Sequence, residues 1–134
     1  MDDIKREGRD VHNDNPADKL NYLGIVNDTD ANPLQGRNYG YPACVAAWDP
    51  SVLSNTNLKV GSQFVPNLPV GADIETADEG CSRFEPPRLV FPAHAAPLDI
   101  KFKEDGSAAF ISFHGSWLVI TQTPKRGSVT GEVP

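Results

Sequence analysis

Long apolar runs are missing from this 134-residue chain. The longest, Ala43-Cys44-Val45-Ala46-Ala47-Trp48, is far short of the ~18 residues a membrane-spanning helix requires, so no membrane partner is expected. Positive charge is also scarce. Twelve Lys and Arg face 18 Asp and Glu, a formal net charge of −6, and no cluster of bases forms a face. Binding to nucleic acid through its phosphates is therefore not expected. Cysteine is nearly absent, and Cys44 and Cys81 have neither the CxxC spacing nor the nearby histidine of a zinc site. No G-x-S-x-G, P-loop, H-E-x-x-H, EF-hand or G-x-G-x-x-G pattern occurs, which removes the usual sequence signatures of hydrolases, nucleotide binders and zincins. Leu, Ile, Val and Phe supply only 32 of the 134 residues. That is above the level of disordered chains, but too little for a helical bundle or a coiled coil.

Backbone punctuation takes the place of apolar length. Proline (12) and glycine (11) together exceed their usual share, as expected of a modest core interrupted by many loops. Residues 1–19 carry six acids and four bases around Asn13-Asp14-Asn15-Pro16, which reads as loop. Leu20-Asn21-Tyr22-Leu23-Gly24-Ile25-Val26 has room for one strand. Residues 43–87, with Pro50, Pro66, Pro69, Pro86 and Pro87, read as a long irregular excursion with a short strand near Gln63-Phe64-Val65. The acidic group Asp73, Glu75, Asp78 and Glu79 inside it lacks calcium-loop spacing and reads as solvated. Cys44 and Cys81 could be two buried thiols or one disulfide tying the excursion; the cysteines themselves leave both open. Asn27-Asp28-Thr29 is an N-glycosylation sequon, which favours a secreted protein. Residues 1–30 nevertheless hold no signal peptide, and a start lying inside a longer natural chain is the expectation.

The clearest pattern spans 88–121. Arg88-Leu89-Val90-Phe91 is β-prone, and Leu98, Ile100 and Phe102 alternate with Asp99, Lys101 and Lys103 at the period of a half-buried strand. Asp105-Gly106 supplies a hairpin turn, Ala109-Phe110-Ile111-Ser112-Phe113 the return strand, and Trp117–Ile120 a third strand. This antiparallel meander suits a propeller blade, with a sandwich hairpin as the alternative. Of the three histidines, His12 lies in the polar opening and reads as solvated. His94 precedes the first strand of the hairpin and His114 follows the second, so both are expected at one edge of the sheet. Imidazoles gathered there could ligate a metal, move protons or donate hydrogen bonds to an anionic cofactor.

Four motifs in order carry a family resemblance: Asp10-Val11-His12-Asn13-Asp14-Asn15-Pro16-Ala17, Asn38-Tyr39-Gly40-Tyr41-Pro42, Ala93-His94-Ala95-Ala96-Pro97-Leu98-Asp99-Ile100-Lys101-Phe102 and Ile111-Ser112-Phe113-His114-Gly115-Ser116-Trp117. With Cys44 and Cys81 they resemble the fungal pyrroloquinoline-quinone-dependent pyranose dehydrogenase domain, related to glucose/sorbosone dehydrogenases. The resemblance implies an all-β fold, a partial six-bladed β-propeller of about two to three blades with long irregular loops. Residues 1–117 would belong to it, and 118–134 would be a divergent, irregular tail. It further implies pyrroloquinoline quinone and calcium as cofactors, a sugar substrate oxidised at its C1 hydroxyl, an electron acceptor, and an extracellular location. By the same resemblance His114 and His94 would bind the cofactor, Cys44 and Cys81 would form a disulfide, and Asn38–Pro42 would be structural. The family's catalytic base and other cofactor motifs have no counterpart in these residues. The expectation is therefore a segment inactive as an enzyme alone, the alternative being a non-catalytic secreted carbohydrate-binding or interaction module.

Overall fold

The computed structural model describes residues 4–24 and 33–115. Among these residues short strands dominate and helix is confined to a few turns, an all-β character. It divides into two units, one reaching Ala93 and one beginning at His94.

The first unit opens with a hairpin where the sequence suggests only loop. β1 (Lys5–Arg6) and β2 (Arg9–Asp10) pair antiparallel across Glu7-Gly8. Both turn residues have positive φ, 50° and 78°, the geometry of the tightest hairpin turns. The few apolar residues near this hairpin are buried. Ile4 and Val11 join Val45, Ala47, Leu53 and Phe64 in one core cluster, with Val52 and Leu58 packed against it. β3 (Asp18–Leu20) lies at the start of the expected 20–26 strand rather than along it. It pairs with β6 (Leu89–Phe91) in the register Asp18↔Phe91, Lys19↔Val90, Leu20↔Leu89. β4 (Val45–Ala46) pairs with β5 (Gln63–Phe64), the short strand expected near Phe64.

The excursion between β5 and β6 is not wholly irregular. Asp73 accepts from Thr76 N–H at 3.1 Å and caps a one-and-a-half-turn helix, α1 (Ile74–Glu79). The acidic group therefore begins a helix instead of decorating a loop, and one member is not solvated. Asp78 is buried and forms a two-pronged ion pair with Arg6, at 2.8 Å on each prong. Asn55 Nδ2 and Val65 N–H also donate to this carboxylate, at 3.1 and 2.9 Å. Arg6 in turn donates to Val65 O and lies over the Phe64 ring, 5.1 Å from its centroid. A buried charge survives only with close partners; this pair, in which Arg6 Nε alone finds no acceptor, joins β1, β5, α1 and the Asn55 loop.

Among the described residues the second unit is a single hairpin, β7 (Pro97–Phe102) and β8 (Ala109–Phe113), as the alternation implies. Its register runs Phe102↔Ala109, Lys101↔Phe110, Ile100↔Ile111 and Asp99↔Ser112. A bulge at Leu98 follows before Pro97↔Phe113. In the connection Gly106 takes φ 71°, and Asp105 Oδ1 accepts from Ser107 N–H at 2.9 Å. The expected third strand, Trp117–Ile120, and the tail 118–134 lie outside the described residues, as does Asn27 of the sequon.

Candidate functional site

The edge of the β7–β8 hairpin carries the two histidines singled out in the sequence. Beyond Phe113 the ladder continues: His114 N–H donates to Ala96 O at 3.0 Å and Gly115 N–H to Ala95 O at 3.1 Å. His114 therefore stands opposite Ala96, and His94 lies two residues further along the facing segment. Diagonal neighbours of this kind have Cα atoms about 7–8 Å apart in a regular ladder. The segment before β7 is not regular, however. His94 and Ala96 have φ of 61° and 50°, left-handed values that residues with a Cβ adopt at a cost and mostly where surrounding contacts hold them. His94 is half-buried and His114 exposed. Both thus sit at the open end of the hairpin, opposite the Asp105-Gly106 turn. His12, expected to be solvated, is half-buried in the turn after β2, its N–H donating to Asp10 Oδ1 at 2.8 Å.

Two of the four motifs, Asp10–Ala17 and Asn38–Pro42, do structural work in the first unit. Asn15 is fully buried; its Oδ1 accepts from Trp48 N–H at 2.8 Å and its Nδ2 donates to Asp49 O at 3.0 Å. The Asp10–Ala17 motif thereby clamps the chain that follows β4. Gly40 has φ 98°, and a Cβ there would overlap Gln63 Oε1 and come within 3.0 Å of Cys44 O. No other residue type fits that approach. Tyr39 Oη donates to Tyr22 O at 2.6 Å, and Lys19 Nζ to Tyr39 O at 2.7 Å. Partial burial pushes the Lys19 ammonium below its ordinary pKa. Next to this motif Cys44 and Cys81 form a disulfide, Cα to Cα 5.9 Å, bridging 37 positions and tying the excursion to β4.

A quinone bearing carboxylates needs hydrogen-bond donors, and paired imidazoles at a hairpin end supply them. His94 and His114 fit that part of the requirement. Calcium needs six to eight oxygen ligands. Among the described residues no group of three or more His, Cys, Asp or Glu side chains is placed to hold a metal ion.

A family model described as TrAA12-like matches residues 1–127. The chain belongs to the TrAA12-like family. Among its relatives, the pyrroloquinoline quinone-dependent sugar dehydrogenase of Hypocrea jecorina (strain QM6a) is 48% identical over 118 residues, covering 87% of this chain and 26% of that protein. The iodide structure of the Trichoderma reesei carbohydrate-active enzyme of family AA12 aligns with a TM-score of 0.72 at 46% identity, over 87% of this chain and 28% of that one. The holo form of the pyranose dehydrogenase PQQ domain from Coprinopsis cinerea aligns at 0.64 and 32% identity, over 81% and 25%. The TrAA12-like chain thus spans about a quarter of the length of the relatives it matches.

Sequence reasoning missed the polar core of this family member. Arg6, Asn15, Asn55 and Asp78 are all buried, yet each sits in a stretch whose composition reads as loop. For Arg6 a faint signal exists. Ile4, Lys5 and Arg6 alternate inward, outward and inward, so a strand placed there would have turned the guanidinium into the core.

Proposed function

We propose that this chain is a segment of a PQQ-dependent sugar dehydrogenase. Residues 1–117 contribute two to three blades of a six-bladed β-propeller, and residues 118–134 form a divergent tail. The observation that carries the reading is 48% identity to a PQQ-dependent sugar dehydrogenase across 87% of the chain. The antiparallel hairpin and the placement of both histidines at one end of it support the reading. When bound, the quinone supplies the hydride acceptor for oxidation of a sugar C1 hydroxyl. This chain's contribution is to hold and polarise it. His114 and His94 would hold the quinone by donating hydrogen bonds from imidazole N–H groups to its carbonyl and carboxylate oxygens. The general base for the sugar hydroxyl is assigned to none of these residues. The disulfide supports an oxidising, extracellular location.

The test is a chimera in which this chain replaces its counterpart in the Hypocrea jecorina enzyme. Quinone binding is followed by absorbance, and aldose oxidation by reduction of a dye. The chimera is expected to bind pyrroloquinoline quinone and oxidise a sugar. His114→Ala is expected to weaken quinone binding about tenfold, the value of a hydrogen bond to a charged group. A folded chimera that binds no quinone would sink the proposal, as would a His114→Ala variant with unchanged affinity.

A further inference from the structure

The first unit contains a cavity of about 590 Å³ between α1 and the chain that runs from Asn55 to Gln63. That volume lies within the range of small-molecule sites. Its floor is rigid, and its buried polar groups are partnered with the exception of Gln63 Oε1. Cys81 is fixed by the disulfide, and Asn55 and Asp78 are buried with their polar atoms committed to each other, to Arg6 and to Val65. The rim is the opposite. Asn57, Glu75, Glu79 and Ser82 line the cavity, are exposed, and their side chains have no hydrogen-bond partner among the described residues. Leu58, Phe84 and Pro86 supply apolar wall between these polar groups.

Glu75 and Glu79 are four residues apart on α1, on one face of the helix and directed at the same space. Like charges at this spacing weaken a helix by about 0.2–0.5 kcal/mol, and no Lys or Arg lines the cavity to relieve them. Arg83, next along the chain, instead lays its guanidinium over the Phe84 ring, 4.8 Å from the centroid. Two free carboxylates repel an anionic ligand. They accept hydrogen bonds from hydroxyl groups strongly because the acceptor is charged. An amide and a hydroxyl beside them can both donate and accept. A ligand with many hydroxyls, no negative charge and an apolar C–H face matches every one of these features. We propose that this cavity is a binding site for a neutral sugar residue, separate in the chain from the histidine-bearing hairpin. The proposal is independent of the dehydrogenase reading, because it concerns the first unit alone and needs no quinone.

The test titrates the whole 134-residue chain, isotope-labelled and with its disulfide intact, with glucose and then with glucuronate. These two differ only in the charged group at C6. Glucose is expected to shift the amide resonances of residues 55–63 and 75–86 saturably, with a millimolar dissociation constant, and glucuronate to bind at least fivefold more weakly. Asn57→Ala and Glu79→Ala are each expected to weaken glucose binding about fivefold, the value of one hydrogen bond. Should either variant lose its dispersed spectrum, the exposed Ser82→Ala substitution answers the same question. Absence of saturable shifts in these segments overturns the proposal. So does equal affinity for glucuronate, or binding indifferent to the rim substitutions. Because the readout is binding to quinone-free protein, failure here leaves the dehydrogenase reading standing, and the reverse holds equally.

Discussion

In the hairpin of the second unit, each strand finds its partner across one local turn, and its large apolar side chains remain exposed. Leu98 and Phe102 are each 67% accessible and Phe110 65%. In the first unit the order is reversed. Strands of two or three residues are joined by contacts far apart in the chain, and the side chains at the centre, Arg6 and Phe64 among them, are almost fully buried. Among the described residues the hairpin thus has secondary structure without a core. The first unit has a core with little regular secondary structure, held by an ion pair, a disulfide and buried amides. Regular backbone pairing and burial of apolar surface are separable, and this chain separates them.

The largest effect that distinguishes the two regions is expected at the Arg6–Asp78 pair. Asp78→Ala leaves the guanidinium buried and also strands Val65 N–H and Asn55 Nδ2 without their acceptor. The first unit should lose about 3–5 kcal/mol, as breaking a buried pair usually does. A urea titration followed by resolved amide signals from each region would measure it. The β7–β8 signals should keep their dispersion after those of residues 4–93 have collapsed. If both regions lose structure together, the contrast drawn between them is wrong. Replacing both partners, Arg6→Met with Asp78→Leu, should recover much of the loss, since the penalty comes chiefly from one uncompensated charge.

Next in size is the disulfide. Reopening a 37-residue loop in the unfolded chain corresponds to about 4 kcal/mol in the chain-entropy account, and measured values run from about 2 kcal/mol upward. The paired substitution Cys44→Ala with Cys81→Ala should lower the urea midpoint of the first unit and leave the hairpin signals unmoved. A loss below about 1 kcal/mol would show that the excursion is already tied by its polar contacts, above all Asp78 with Val65 and Gln63 with Glu85 O.

The same contrast explains what the sequence could tell. The hairpin was legible almost residue by residue, because alternation over Leu98–Lys103 and an Asp-Gly turn are local signals. Legibility also extended to His94 and His114, because a hairpin fixes which ends meet. The left-handed backbone at His94 and Ala96 was not visible, since neither residue type signals it. The first unit was read poorly for a physical reason. Its pairings, β3 with β6 and β1 with the chain near Leu68, depend on partners tens of residues away. Its stabilising side chains are Arg, Asn and Asp, which composition assigns to solvent. Asp78 illustrates the point. Nothing local distinguishes it from Glu75 and Glu79, yet it alone of the three turns inward to meet Arg6. The family resemblance supplied what local patterns could not: it implied the Cys44–Cys81 bond and marked Asn15 and Gly40, whose importance lies in contacts across the fold.

A smaller effect is expected on the hairpin. Phe102→Ser and Leu98→Ser remove side chains that are already mostly in water, so each should change stability by no more than about 0.5 kcal/mol. Light scattering at high protein concentration should fall, because an exposed apolar strand face promotes association. A loss of 2 kcal/mol or more would mean that another surface covers this face in solution, and the hairpin would then no longer contrast with the first unit.

The smallest effect concerns Lys19, which joins β3 to the Tyr39 carbonyl. Its pKa is lowered by desolvation, so the folded protein binds fewer protons than the unfolded chain between that lowered value and the ordinary lysine value. Stability must then rise with pH across this window and fall back as pH drops through the folded pKa. Lys19→Met has no such proton to lose. The difference in urea midpoint between the original chain and Lys19→Met should therefore shift in favour of the original chain from pH 8 to pH 11. Every other titrating group contributes equally to both proteins and cancels, and neither cysteine is a free thiol that could rearrange at alkaline pH. A difference that stays constant with pH would show that the ammonium remains hydrated as it lies against Tyr39. In that case the polar interior of the first unit would end at Asn15 and Asp78 rather than extending to β3.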